Sequence, residues 1–489
     1  MPEHLSVIMP VYNERYLVAE SVRRVLAVQS PSISRLDLII VDDGSTDGTR
    51  DILRGLAAAH PDRITYIEHA RNGGKGTAIC SGLAKAQGSV TVIQDADLEY
   101  DPRDFARLMA PFERDGADAV YGSRFGASEY RRVLYFRHAI GNRMLTALCN
   151  LLTDLNLSDM ETCYKAVRTR LLQSIPIRSP DFRFEPEITF KLAKRGARIF
   201  EVPISYAGRT YDEGKKIGFK DAILAAATML HWWLIDDIYK PDEYGSNILV
   251  GMAGVPHFNR WMADAIRPYV GARVLEVGAG IGNLTRILSP RDRYTASDVN
   301  PHYLDYLHNF ADGKPYMDVR RVDLGSAADF APLAGQYDTV ICLNVLEHLD
   351  DEGGALQNIR TALAPGGHAI ILVPQNPALH GSLDEVLGHV RRYTRDSLPA
   401  ALRANGFTIE HLFDFNRATT PAWWFNGKIL KRRHFSKVQL KMMNLMIWLL
   451  RRLDPVLPWH GVSLIAIAQR PDDGTPPTGA APRSSDALR

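Results

Sequence analysis

Residues 90–102, Val-Thr-Val-Ile-Gln-Asp-Ala-Asp-Leu-Glu-Tyr-Asp-Pro, run from an apolar, β-branched segment into two carboxylates one residue apart, Asp95 and Asp97. On a fading strand, residues i and i+2 face the same side, so both carboxylates can aim at one point. Like charges held that close repel unless a positive charge sits between them. A divalent cation fits, and oxygen-only ligands suit Mg²⁺ or Mn²⁺. The competing reading is a plain turn, since Asp is common after strands and Pro102 stops regular structure. The pair alone does not decide between them. A second chemical stretch, Glu276-Val-Gly278-Ala-Gly280-Ile-Gly282, follows the apolar run Val274-Leu275 and reads as a strand entering a glycine turn.

The surrounding elements narrow the first case. Short apolar runs at Val7–Met9, Leu38–Val41 and Ile64–Ile67 each end in a loop and then a segment of helical spacing. The loops carry Pro10, Tyr12 and Glu14; Asp42-Asp43-Gly44-Ser45; and Asn72-Gly-Gly-Lys75-Gly76. Strand, loop and helix repeated in this way predict an α/β fold with a mostly parallel sheet, whose ligands bind beyond the carboxyl ends of the strands. The metal reading gains from that convergence. A dinucleotide-binding turn is absent after the first strand, where Pro10 and Tyr12 stand in place of glycines, and no Gly-x-x-x-x-Gly-Lys-Ser/Thr phosphate loop occurs. Acids beside a flat aromatic suit a nucleotide whose phosphates arrive with a metal.

The ordered set VIMPVYNE, VDDGSTDGT, NGGKGTA, QDADLEYDP and GSRF resembles inverting family 2 glycosyltransferases of the GT-A fold. The branch it is most similar to transfers hexoses onto polyprenyl or dolichyl phosphate. By that resemblance Pro10, Tyr12, Glu14 and Asp43 hold the base and ribose of a nucleotide-sugar. Asp95, Ala96 and Asp97 line the diphosphate site, with Glu99 a third metal ligand. Arg124 meets the acceptor phosphate or the donor diphosphate, and Arg209 and Lys215 clamp phosphates. Asp159, in Leu157-Ser-Asp-Met-Glu161, would act as base or orient the acceptor; a helix N-cap explains it equally well. Cys163-Tyr164 stands where relatives often have Gly-Phe, which leaves the acceptor open. Arg131, Arg132, Arg137 and Arg143, interleaved with apolar residues, suit a lipid phosphate at a membrane surface or a solvated helix face.

In the second half, the spacing of Gly278, Gly280 and Gly282 departs from Gly-x-Gly-x-x-Gly, and Glu276 would repel a pyrophosphate. An acid there suits a cofactor with a positive centre. VLEVGAGIG, LNVLEHL and the LAPGG segment running into a strand resemble class I S-adenosylmethionine-dependent methyltransferases with a Rossmann-like fold. The resemblance implies that Glu276, Gly278, Gly280, Asp298 and Asp323 bind S-adenosyl-L-methionine, with Asn344 beside it. A hydroxyl acceptor would want a base. His348, His380 and His389 are candidates, and Arg391 and Arg392 suit an anionic substrate group, although a lone histidine is as readily structural. Residues 426–452 alternate basic and apolar blocks and read as a surface-seeking segment or a lid.

At 489 residues the chain exceeds one ordinary core. The expected division is a glycosyltransferase domain over 1–240, a linker over 241–258, a methyltransferase domain over 259–470 and a disordered tail over 471–489. A formal charge of +2 argues against a nucleic-acid binder. Four scattered cysteines suggest a reducing compartment, with neither a disulfide framework nor a cysteine zinc site. No signal sequence or apolar run of spanning length stands out. The expectation is a cytoplasmic bifunctional transferase, peripheral at the cytoplasmic face of a membrane. It would act on a polyprenyl-phosphate or glycan acceptor. The alternative keeps the methyltransferase and makes the first half an inactive lipid or membrane adaptor.

Overall fold

The computed structural model describes residues 2–126, 136–208, 219–235, 237–238, 255–432 and 437–472. The chain divides into two compact units, Met1–Lys240 and Pro241–Arg489. Among the described residues no helix is long and apolar enough to cross a membrane.

The first unit has strands β1 (Glu3–Val11), β2 (Ile33–Asp42), β3 (Ile64–Glu68), β4 (Val90–Ile93), β5 (Ala119–Ser123), β6 (Lys165–Arg168) and β7 (Ile199–Pro203). They form one sheet in the order β3-β2-β1-β4-β6-β5-β7. Every pairing is parallel except those of β6, which runs antiparallel to both β4 and β5. Leu5, Val7, Ile8 and Met9 of β1 and all of β4 are buried, as continuous apolar strands must be when helices cover both faces. The helix Val18–Leu26 packs Val18, Val22 and Val25 inward, one stripe at helical spacing. Val7 lies opposite both Leu38 and Val92; β1 and β2 end together at the Val11–Asp42 pair, whereas β4 stops at Ile93, opposite Ile8. Pro10 sits past Ile8, the last residue of β1 paired with β4, so its missing N–H falls where the strand has one neighbour. Strand order reverses between β1 and β4, the usual location for a ligand crevice.

The second unit has β8 (Arg273–Val277), β9 (Arg293–Asp298), β10 (Met317–Arg321), β11 (Tyr337–Leu343), β12 (Leu363–Pro374), β13 (Thr408–Phe415) and β14 (Ser463–Gln469). The order is β10-β9-β8-β11-β12-β14-β13. Only β14 runs antiparallel to its neighbours. Here the order reverses between β8 and β11. The helix Pro256–Ile266 begins inside the 241–258 span expected to be linker, because proline is pre-organised for the first position of a helix.

Candidate active sites

In the first unit, the loop after β4 is pinned from beneath at both ends. The Tyr164 hydroxyl donates to Gln94 Oε1 at 2.6 Å, and the Cys163 amide donates to the Tyr100 hydroxyl at 3.0 Å. Cys163 and Tyr164 are both buried, so the pair where relatives often carry Gly-Phe is the floor of this loop. Leu98 holds φ at +63°, a left-handed conformation that non-glycine residues seldom adopt, and the strain falls between Asp97 and Glu99. Asp97 Oδ1 accepts from the Glu99 amide at 3.2 Å. Glu99 itself is turned to Tyr206, whose hydroxyl donates to Oε2 at 2.7 Å. Among the described residues, Asp95, Asp97 and Glu99 are not gathered as a three-ligand group.

Asp95 faces Lys75, with the ammonium 2.9 Å from Oδ1, and the same ammonium lies 3.2 Å from Glu185 Oε1. Burial works against this lysine's charge, but the surrounding anions, Asp95 foremost, hold its pKa well above the ordinary value. A cation is therefore already needed beside Asp95, and the oxygen donors of Asp95 and Asp97 fit a hard divalent ion. Lys75 was not singled out from the sequence, and a lone lysine inside Asn72-Gly-Gly-Lys-Gly was the available signal. Asp43 is buried and organises that same loop: its Oδ1 lies 2.7 Å from His69 Nδ1 and its Oδ2 accepts from the Gly74 amide at 2.7 Å. Gly44, at φ +77°, lets this turn approach the backbone of Arg71, where a Cβ would lie 2.7 Å from its carbonyl carbon. The Tyr12 ring stays exposed after β1, and Glu14 follows on the same loop.

Past β5, Arg124 and Asp159 form a paired unit. The guanidinium donates to Asp159 through Nε at 2.7 Å and Nη2 at 2.8 Å, and the Arg124 amide adds a third bond at 3.0 Å. Asn142 Nδ2 donates to Asp159 Oδ1 at 3.0 Å. Asp159 is fully buried. Burial opposes its charge, yet the guanidinium and these donors hold its carboxyl below the usual range. No helix starts at Ser158 or Asp159, so neither serves as an N-cap. Arg124 also lies over the Tyr206 ring, 5.2 Å from its centroid, which ties it to the Glu99 side of the loop. Arg209, Lys215, Arg131 and Arg132 lie outside the described residues, as does the tail beyond 472.

In the second unit, β8 ends at the glycine turn. Gly278 takes φ +70° and Gly280 φ +57°. A Cβ on Gly278 would lie 2.3 Å from Val345 Cγ2, so the turn and the loop after β11 fit only without one. Asp298, closing β9, accepts from the Gly280 amide at 2.9 Å and the Asn300 amide at 2.9 Å, which places its carboxylate against the glycine turn. Asp323 accepts from the Gly325 amide at 2.9 Å. Asn344, exposed at φ +53°, is the first residue after β11. Glu276 is buried beneath the turn, accepting from Thr285 Oγ1 at 2.6 Å and the Tyr294 hydroxyl at 2.8 Å. Burial pushes its carboxyl up to about 7. This glycine cradle with acids on successive strands fits an adenosyl cofactor with a cationic centre.

Two α/β sheets thus each gather polar loops at a strand-order reversal. A family model described as glycosyl transferase family 2 matches residues 6–175, and one described as a methyltransferase domain matches residues 259–412. The chain joins a family 2 glycosyltransferase domain to a methyltransferase domain. The first domain is similar to polyprenol monophosphomannose synthase of Mycolicibacterium smegmatis, 28% identical over 43% of this chain and 80% of the relative. Undecaprenyl-phosphate 4-deoxy-4-formamido-L-arabinose transferase of Edwardsiella ictaluri is 27% identical over 44% of this chain and 63% of its own length. Dodecaprenyl-phosphate galacturonate synthase of Rhizobium johnstonii is 28% identical over 43% and 61%. The match thus spans less than two thirds of the latter two relatives.

Proposed function

We propose that the first unit transfers a hexose, with inversion, from a nucleotide-sugar to a polyprenyl phosphate. The second would then methylate a glycan or lipid-linked substrate with S-adenosyl-L-methionine. The acceptor assignment rests on Asp159. A buried carboxylate held below its usual range by a bidentate arginine is a weak base, suited to aiming Arg124 and unsuited to deprotonating a hydroxyl. A phosphate acceptor arrives ionised and needs no base, and Arg124, its Nε–Nη2 edge held by Asp159, would offer it a permanent cation. The names of the relatives point the same way.

Asp95 and Asp97 would hold Mg²⁺ or Mn²⁺, which when bound neutralises the departing nucleoside diphosphate. Pro10, Tyr12, Glu14 and Asp43 would shape the base and ribose site, and Arg209 and Lys215 would add cations at the phosphates. Glu276, Gly278, Gly280, Asp298, Asp323 and Asn344 would hold the methyl donor, whose sulfonium is already activated, so the protein's task is chiefly alignment. Exposed apolar side chains on the helices Phe136–Thr153 (Phe136, Met144, Leu151) and Phe219–Leu234 (Ile223, Trp233) support peripheral contact with the cytoplasmic face of a membrane.

The test offers the protein a panel of sugar nucleotides with a polyprenyl phosphate and separates the lipid products. A labelled lipid is expected. Asp97→Ala should lower its formation at least about 100-fold while S-adenosylmethionine binding is unchanged. Undiminished sugar transfer in that variant would overturn the assignment.

A further inference from the structure

The loop after β11 carries a second cluster that the readings above leave unused. Leu346–His348 form one helical turn beyond Asn344, and Val390 donates its amide to the Glu347 carbonyl at 3.0 Å, bringing His389 alongside. One ligand atom each from Glu347, His348 and His389 lies within 4.8 Å of the others, and among the described residues no other such group of three forms.

We propose that Glu347, His348 and His389 bind one divalent transition-metal ion through two imidazole nitrogens and a carboxylate oxygen. Three observations carry this. The imidazoles are oriented as metal ligands usually are, each with one nitrogen engaged by an acceptor behind it. His389 Nδ1 lies 2.8 Å from Asp384 Oδ1, and His348 Nδ1 lies 3.1 Å from the Gly388 carbonyl, with the Asn344 carbonyl also near the His348 ring. With its proton held on Nδ1, His389 turns Nε2 toward Glu347, 3.8 Å from Oε1. A tetrahedral ion with bonds of about 2.1 Å sets its ligands roughly 3.4 Å apart, so the side chains need only a small contraction.

The second observation is Glu347 itself. It is fully buried, and neither carboxylate oxygen has a hydrogen-bond partner among the described residues. A buried acceptor with no donor is costly, and a cation removes the cost. The third is charge. Arg392 gives Nε to Asp384 Oδ1 at 2.8 Å and Nη1 to the Gln375 carbonyl at 2.7 Å, while its Nη2 has no hydrogen-bond partner among the described residues. The pocket thus holds two buried carboxylates, Glu347 and Asp384, against one buried guanidinium.

Two imidazoles and a carboxylate select Zn²⁺, Co²⁺ or Mn²⁺ over Mg²⁺, unlike the oxygen-only pair Asp95 and Asp97. His348 is exposed, so the ion keeps an open position for a substrate oxygen at the mouth of the β8–β11 crevice.

The experiment uses the full chain without an affinity tag, stripped with chelator and titrated with Zn²⁺ by calorimetry and with Co²⁺ by visible absorption. One Zn²⁺ per chain of micromolar or tighter affinity is expected to persist in Asp97→Asn. It should weaken at least about 100-fold in His348→Ala and Glu347→Gln. Both variants are first shown to melt cooperatively, and the exposed His348 position keeps the test valid if the Glu347 variant does not fold. The absence of a Zn²⁺ site in the wild type would overturn the proposal. So would wild-type Zn²⁺ affinity in His348→Ala, or a site lost in Asp97→Asn.

Discussion

Lys75 shows how one side chain lets an anionic loop fold. Its ammonium lies between Asp95 and the buried Glu185, so neither carboxylate is left uncompensated. Among the described residues no such cation is paired with Glu276, and burial displaces its carboxyl upward from 4.5 to about 7. Between those values the folded state binds more protons than the unfolded state, so stability falls as pH rises through this window. The loss approaches roughly 3 kcal/mol above it. In Glu276→Gln the amide oxygen can still accept from Thr285 and Tyr294, and no charge has to be buried. The variant's melting temperature relative to wild type should therefore rise between pH 5 and pH 8 by a few degrees. A difference that stays constant across that range would show that burial is not what governs this residue.

At the scale of elements, the glycine turn after β8 is a fitted joint. Gly278→Ala sets a Cβ against Val345 in a left-handed backbone conformation, straining the turn on two counts. S-adenosylmethionine affinity should drop tenfold or more by calorimetric titration, with sugar transfer unaffected. Retained affinity would mean that this turn does not hold the cofactor. The parallel strands β1, β2, β4 and β8 were legible in the sequence because each carries a short, buried apolar run that stops at a polar loop. β6 was not. Lys165-Ala-Val-Arg168 opens with a lysine that is buried, and what makes this tolerable is Glu185, whose carboxylate lies 2.5 Å from the ammonium. No local pattern reports a compensation made across the fold. The same limit applies to the candidate sites. Asp95, Asp97 and the glycine turn stand out because their chemistry is local. The pairing of Arg124 with Asp159, of Lys75 with Asp95 and of His389 with Glu347 depends on loops that only the sheet order brings together.

At the scale of the whole molecule, the two units have separate cores, one built on β1–β7 and the other on β8–β14. Ligands that bind the folded state stabilise the unit that holds them. S-adenosylhomocysteine should raise the melting temperature of one calorimetric transition, and nucleoside diphosphate with Mn²⁺ that of another. At 100 times the dissociation constant each contributes about 2.7 kcal/mol. A single transition shifted equally by both would indicate one cooperative block.

The antiparallel strand β6 has a further consequence. Tyr121 of β5 lies opposite Lys165 of β6, and the Gly122 amide donates to the Tyr164 carbonyl at 2.8 Å, so residues 124–164 leave and rejoin the sheet through adjacent staves. That excursion carries Arg124 and Asp159, while the loops proposed to hold the donor follow β1, β2 and β4. Cys163 and Tyr164 close that excursion and also brace the loop after β4, so an exchange of the segment that is meant to alter only the proposed acceptor side has to keep these two residues.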